Sequence, residues 1–369
     1  MRAIITVLDS ISHTTMPYNE FITYRDKSYK DEIQIVFLTG NEVAIPENEI
    51  PRTLEIHKVG KNPFRIRKEL KKVITRLEKE NHKWIVHLHS IRGSFSTLLS
   101  MIGTTYRTRT VYTIHSTFTG FKIHNKILSL FNSIFSRRVV FVSEASYSAF
   151  PGIVKRLRHD KLSVIQNGVN LERIDSAIKD KVTTKYTDNS NSEVRCAYVA
   201  RMVPLKNHTF LLDLLGLLEN NIRFIFIGKE STEIIEKAKE LGIENRVDFT
   251  GLIPREEVYS ILLDSDLYIS SSTLEGLPVS VLEGMYCGLP VVLSDIPQHR
   301  EVVKDFEGAK LVGFELDQWK KAISDFSKLD ASKRKEMGDR CRSYVANNFS
   351  LSRMHQGYTS LYNEILEDE

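Results

Sequence analysis

The sequence predicts an α/β protein of two units, each a parallel sheet covered by helices on both faces. Short β-branched runs alternate with stretches of helical periodicity through most of the 369 residues, the order that crossover helices between parallel strands produce. The strand series runs out and restarts after a polar stretch, 180–193, whose heart is Asp188-Asn189-Ser190-Asn191-Ser192. The length suits two domains at roughly 150 residues each. With 41% hydrophobic and 27% charged residues, the chain has an ordinary globular composition and can bury a core in each half.

Residues 3–8 read as a buried first strand, since a signal peptide would need a longer apolar run and a small-residue cleavage site. Further strands are expected at 33–38, 84–89, 110–114 and 139–142. Between the second and third, 64–79 carries Leu70, Val73, Ile74 and Leu77 at helical spacing. Asn167-Gly168 in Val164-Ile165-Gln166-Asn167-Gly168-Val169-Asn170 is a strong turn signal, because both residues tolerate positive φ. The boundary is placed there, dividing the chain into 1–166 and 167–349. A second strand series follows at 197–200, 223–227, 246–249, 267–270 and 291–293. The last helix, about 353–366, sets Met354, Tyr358, Leu361, Tyr362 and Ile365 on one face and must dock on a partner that the pattern does not name.

Composition narrows the function classes. No run approaches the roughly 18 apolar residues of a spanning helix. Cys196, Cys287 and Cys341 stand far apart in no paired motif, which suits a reducing cytosol and disfavours a disulfide framework or zinc site. The net charge of +4 hides an asymmetry: residues 1–165 hold 26 Lys and Arg against 14 Asp and Glu, and the remainder 25 against 33. The densest basic run is Lys58, Lys61, Arg65, Arg67, Lys68, Lys71, Lys72, Arg76, Lys79 and Lys83. It fits attraction to an anionic surface or a solvated helix face. No nucleic-acid recognition motif accompanies it.

The most informative segment is Ser270-Ser271-Ser272-Thr273-Leu274-Glu275-Gly276-Leu277-Pro278-Val279-Ser280-Val281-Leu282-Glu283. It leaves a strand and enters a helix at Pro278, whose fixed φ suits a first turn. Gly276 lets the backbone approach a ligand, and the amides of Gly276, Leu277 and the next turn form an anion site aided by the helix dipole. An acid before such a turn suits a ligand that also offers hydroxyls, since a carboxylate accepts two of them. Glu283 stands two turns on in a largely apolar helix, where an unpaired carboxylate is costly. Either glutamate alone could be a cap or a surface charge. As a pair they can bracket a nucleotide sugar, one on sugar hydroxyls and one on a ribose.

A second constellation is Val199-Ala200-Arg201-Met202-Val203-Pro204-Leu205-Lys206-Asn207. Two cations follow a strand across a Pro-containing turn, where phosphates bind in open α/β sheets. Arg can clamp a diphosphate bidentately, and Lys adds a point charge.

These residues together resemble the retaining glycosyltransferase family 4 (glycosyl transferases group 1). Glu275 to Glu283 looks like its Glu-x7-Glu motif, Asn167-Gly168-Val169-Asn170 like its entry to the second domain, and Ala200-Arg201…Lys206-Asn207 like its diphosphate turn. Ile227-Gly228-Lys229 and Phe249-Thr250-Gly251 look like its later strand ends. The resemblance implies the GT-B fold, two Rossmann-like domains facing across a cleft, with acceptor side 1–166, donor side 167–349 and the final helix, about 350–369, packing back on the first domain. It implies that Arg201 and Lys206 neutralise the donor diphosphate, Glu283 holds the ribose and Glu275 holds sugar hydroxyls near the reacting carbon. Thr113-Ile114-His115-Ser116 looks like the strand end whose histidine, His115, faces the donor sugar; His89 is a weaker candidate for the acceptor side. One departure stands out. The segment after the first strand, Asp9-Ser10-Ile11-Ser12-His13-Thr14-Thr15, lacks the family's glycines, so Ser12 and Thr14 would have to replace backbone contacts.

The implied activity is transfer of a hexosyl group from a nucleoside-diphosphate sugar to a hydroxyl, with retention, no cofactor and no required metal. Polysaccharide, glycolipid or cell-envelope assembly would fit. The partners expected are a nucleotide-sugar donor, a sugar or lipid-linked acceptor and, through the basic half, an anionic membrane surface; the place is the cytoplasm or the inner face of the membrane. The rival readings are a nucleotide-sugar epimerase on a related fold, a non-catalytic nucleotide-sugar-binding relative and, more remotely, a sugar phosphorylase. The sugar, base, acceptor and linkage are not legible.

Overall fold

In the computed structural model, described over residues 1–12, 15–180, 186, 193–304 and 306–367, the chain forms two compact units: Met1–Gln166 with Ser352–Glu369, and Asn167–Leu351. The polar loop 188–192 and Thr14 lie outside the described residues.

The first unit holds a seven-stranded parallel sheet of β1 (Arg2–Ser12), β2 (Glu32–Ala44), β3 (Glu55–Lys58), β4 (Lys83–Leu88), β5 (Thr110–Ile114), β6 (Arg138–Phe141) and β7 (Leu162–Val164). Its order is β3-β2-β1-β4-β5-β6-β7, which reverses direction between β1 and β4. β1 and β4 are central and covered on both faces, so they read as continuous apolar runs. The helices that matter below are α1 (Pro63–Lys79), α2 (Ile91–Ser100) and α3 (Ile123–Phe135). α1 starts where the Asn62 side chain accepts from the Phe64 and Arg65 amides, at 2.9 and 3.3 Å. It buries Ile66, Leu70, Val73, Ile74 and Leu77 and leaves Lys68, Lys71 and Lys72 in solvent.

The second unit repeats the plan with β8 (Val194–Val199), β9 (Ile222–Ile227), β10 (Val247–Phe249), β11 (Leu267–Ser270), β12 (Val291–Ser294) and β13 (Ala309–Val312), ordered β10-β9-β8-β11-β12-β13 and parallel throughout. Its site is framed by α4 (Leu171–Lys179), α5 (His208–Leu215), α6 (Arg255–Leu263) and α7 (Val279–Tyr286). The α/β class with two parallel sheets is as the sequence predicts.

Three strands escape the sequence pattern: β3, β7 and β13. Each is the edge of its sheet and spans three or four residues. An edge needs few apolar residues, so Glu55-Ile56-His57-Lys58 carries almost no strand signal. β1 also runs longer than expected, through Ser12, across the segment where a glycine loop was sought. The neighbouring strand comes close to the β1 backbone at this point. β2 bulges opposite Asp9, and Gly40 lies so close that an added Cβ would stand 1.9 Å from the Asp9 carbonyl oxygen. The Ser12 hydroxyl turns to Thr15 Oγ1 at 2.8 Å.

The final helix, α8 (Leu351–Glu367), belongs to the first unit from Ser352 on. It docks by polar contacts as well as apolar ones. Tyr362 OH is 2.6 Å from His87 Nδ1, Tyr358 OH is 3.1 Å from Thr113 Oγ1, and His355 Nδ1 is 3.2 Å from Arg25 Nη1. Arg25 is wholly buried and pairs with Glu32; its guanidinium and that of Arg2 hold the Glu32 carboxyl below its usual range against the opposing pull of burial.

Candidate active site

Open α/β sheets bind ligands beyond the carboxyl ends of their strands, where the strand order reverses. In the second unit that point lies between β8 and β11. Both constellations singled out in the sequence leave from these two strands, Arg201 and Lys206 after β8, and Glu275 after β11.

The β8 side is built around Lys206. Asn207 adopts the left-handed conformation, φ 53°, and starts α5; Asn tolerates that region better than most residues. The Ser271 hydroxyl donates to the carbonyls of Lys206 and Asn207, both at 3.0 Å, and Tyr198 OH donates to the Lys206 carbonyl at 3.0 Å. Backbone atoms of the lysine are thereby fixed, and its ammonium meets Glu275 Oε1. Ser272 Oγ donates to the same carboxylate oxygen at 2.7 Å. Burial first, then the nearby Glu275 charge, pushes the Tyr198 hydroxyl up, so it stays protonated. Arg201 is exposed and forms no ion pair among the described residues. Its turn is pressed against the next strand end: Gly228 has φ +141°, and a Cβ there would stand 2.5 Å from the Ala200 carbonyl oxygen.

Glu283 occupies a separate cluster on α7. Its Oε1 accepts from Tyr259 OH at 2.8 Å and from Arg173 Nη2 at 3.3 Å, and Arg255 Nη1 stands 3.6 Å away. Arg173 Nε donates to the Tyr259 hydroxyl at 2.9 Å. Burial and the Glu283 carboxylate push the tyrosine up, so its proton remains available for the bond. The carboxylate in the apolar helix is therefore paired. Between the two clusters run Gly276 and the buried Leu277. Helix α7 begins at Val279, one residue later than the sequence suggested, with Pro278 as its cap; the amides of Val281 and Leu282 bond to the Pro278 carbonyl at 3.1 and 3.3 Å. Proline still suits this place because its missing N–H would have no partner in the first turn.

In the first unit, His115 follows β5 and His89 follows β4, and the two rings meet at 2.8 Å between His89 Nδ1 and His115 Nε2. One nitrogen must donate and the other accept, so the tautomers of the two neutral rings are coupled. Burial pushes the His115 imidazole down to about 4. His89 is lowered too, by burial and by His87 and His115, and its Nε2 is buried without a partner.

Sequence reasoning brought Lys206 and Glu275 to the same place but did not foresee that they pair directly. It missed Arg173, Tyr259 and Arg255 altogether. Arg173 had a faint signal: it stands three residues after Asn170 in the Asn-Gly turn segment, and the Asn170 side chain accepts from its amide at 3.1 Å. Tyr259 and Arg255 had none, since both arrive on another helix by tertiary packing. Among the described residues, no group of three or more His, Cys, Asp or Glu is placed to hold a metal ion.

Known proteins bear on this geometry. Residues 184–344 match the family model described as Glycosyl transferases group 1, and residues 29–173 match Glycosyltransferase Family 4; together they take in most of the chain. The chain is 26% identical over 316 residues to the UDP-Gal:alpha-D-GlcNAc-diphosphoundecaprenol alpha-1,3-galactosyltransferase of Escherichia coli, covering 80% of this chain and 79% of the relative. It is 26% identical over 247 residues to the capsular polysaccharide biosynthesis glycosyltransferase CapH of Staphylococcus aureus, covering 65% of this chain and 64% of CapH. Anabaena HepE, solved in complex with UDP and glucose, shares the fold at a TM-score of 0.78 and 18% identity, over 98% of this chain and 100% of that one. With both halves matched in order and the two parallel sheets in place, the chain belongs to the group 1 glycosyltransferases, on the GT-B fold.

Proposed function

We propose that this glycosyltransferase moves a sugar from a nucleoside-diphosphate donor, with retention, to a hydroxyl of a lipid-linked or growing saccharide in glycan or cell-envelope synthesis. The observation that carries the reading is the pair of cation-bound carboxylates that follow β11, Glu275 with Lys206 and, on α7, Glu283 with Arg173 and Arg255. Arg201 and Lys206 would neutralise the diphosphate, which is electrostatic catalysis where the leaving group gains charge. Glu283, held by Tyr259 and Arg173, would accept from ribose hydroxyls. Glu275 would hold sugar hydroxyls, with the Gly276-Leu277 turn and the start of α7 against the phosphates. His115 would act on the sugar as a neutral imidazole.

The relatives' names support the donor and acceptor classes. The Escherichia coli protein is named for a UDP-Gal donor, a diphosphoundecaprenol-linked acceptor and an alpha-1,3 product; an α-linked product from an α-linked donor is retention. HepE has been solved with UDP-glucose as well as UDP. An acceptor held in a membrane also gives the basic first unit a purpose, attraction to anionic lipid.

The test is turnover across a panel of nucleotide sugars, followed by Lys206→Ala and Glu283→Ala with the best donor. Each variant should lose about a hundredfold in donor turnover, the scale of removing one charge-stabilising group. Wild-type rates in both would end the assignment. Cationic side chains in place of a metal predict that EDTA leaves turnover unchanged; loss restored by a divalent ion would overturn that part.

A further inference from the structure

Helix α3 packs Leu130, Phe131 and Phe135, partly buried, against the core of the first unit, yet it keeps a second apolar stripe in solvent. Its buried residues are Ser129, Asn132 and Ser133, while Ile123, Ile127 and Ile134 stand at 74%, 62% and 48% of full exposure. At positions i, i+4 and i+11 the three isoleucines fall within about 40° of one another around the helix. The orientation is fixed from inside: Asn132 Nδ2 donates to the Ile91 carbonyl at 2.9 Å, and Ser133 Oγ donates to the Ser129 carbonyl at 2.8 Å. Turning the isoleucines inward would break the bond to Ile91 and strand a buried amide, so the apolar stripe is held outward.

The charge around the stripe says what covers it. From Asn81 to Ser143 the chain has no Asp or Glu, yet it has eight Lys and Arg. Lys122 and Lys126 flank the start of the stripe, and Arg92 reaches over from α2, its Nη2 3.1 Å from His124 Nε2. None of these three cations pairs with a carboxylate among the described residues. A second copy of the chain would bring the same cationic collar against itself, which like charges oppose. A surface offering an apolar interior under a layer of negative charge matches both features.

We propose that α3 is a membrane-docking surface, its isoleucines entering the acyl boundary of a bilayer whose anionic headgroups meet Lys122, Lys126 and Arg92. Apolar insertion and headgroup attraction act together, as in interfacial helices generally. The outward cations of α1, Lys68, Lys71 and Lys72, add attraction at longer range. The surface deepens the membrane-held acceptor reading and rests on it for its purpose, but lipid binding is measured without any sugar transfer, so the two can fail separately.

The experiment is sedimentation of the full chain at low salt with vesicles of phosphatidylcholine alone or of equal parts phosphatidylcholine and phosphatidylglycerol. Wild type should bind the anionic vesicles, and Ile123→Gln/Ile127→Gln/Ile134→Gln should bind them at least about tenfold more weakly. The circular-dichroism spectrum and the thermal unfolding midpoint should be the same in both, which shows that the variant is folded. In a second arm, Ile127→Trp should gain fluorescence quenching by brominated lipid that wild type lacks, since Trp84 and Trp319 are buried. Equal binding by wild type and the triple variant would overturn the proposal, as would no binding by wild type. A wild-type dimer that the triple variant loses, without lipid binding, would assign the stripe to a second copy instead.

Discussion

His115 illustrates what a single residue gains from its surroundings. In isolation an imidazole titrates near about 6.5; here burial pushes it down to about 4, and its Nε2 is committed to His89. It therefore meets any ligand as a neutral ring through its other edge. Two outcomes follow from the proposed role. His115→Ala should lower transfer by about tenfold or more while leaving UDP affinity near wild type. The acid limb that His115 adds to the rate profile should lie near about 4, so its contribution stays flat as pH falls through ~6.5. An acid limb near ~6.5 that vanishes in His115→Ala would refute the second. The sequence pointed to this histidine through Thr113-Ile114-His115-Ser116. It offered no sign that His89 would be its hydrogen-bond partner, because residues 26 apart meet only when β4 and β5 pair.

At the scale of elements, the turns at strand ends decide where charges stand. Gly228 closes the gap between β9 and the Arg201 turn, with φ +141° and the Ala200 carbonyl where a Cβ would be. Gly228→Ala should cost about 1–3 kcal/mol through backbone strain, seen as a lower denaturant midpoint with an unchanged slope. An unchanged midpoint would mean that the turn yields freely. Central strands were legible as continuous apolar runs, because both of their faces are covered, and amphipathic helices by their 3.6-residue period. The edge strands β3, β7 and β13 were not, since one open side relaxes the demand for apolar residues. α3 was not among the helices that the sequence pattern singled out; periodicity alone would assign its isoleucine stripe to a core, and the packed structure leaves it outward.

The whole molecule carries a set of histidines buried in their neutral form. Burial lowers His87 and His89 well below the ordinary value, His208 and His299 to about 4, and His355 to about 3. In the unfolded chain each would titrate near ~6.5. Between these values the unfolded state binds more protons than the folded one, so stability falls as pH drops through that window. Thermal scans should give a lower Tm at pH ~5 than at ~7, and a flat or rising Tm would contradict the burial of these rings as neutral groups.

By itself the sequence determined the α/β class and two sheets separated by a polar stretch, and it singled out Arg201, Lys206, Glu275 and Glu283, of which the structure joins Lys206 to Glu275. Those features are local in the chain: periodicity, turn residues, and charges placed just after strands. The tertiary structure alone decided that Lys206 pairs with Glu275, that Arg173, Tyr259 and Arg255 gather on Glu283, and that α8 seals against His87, Thr113 and Arg25. Each of these contacts joins residues brought together by strand order and helix packing, which short-range pattern does not encode.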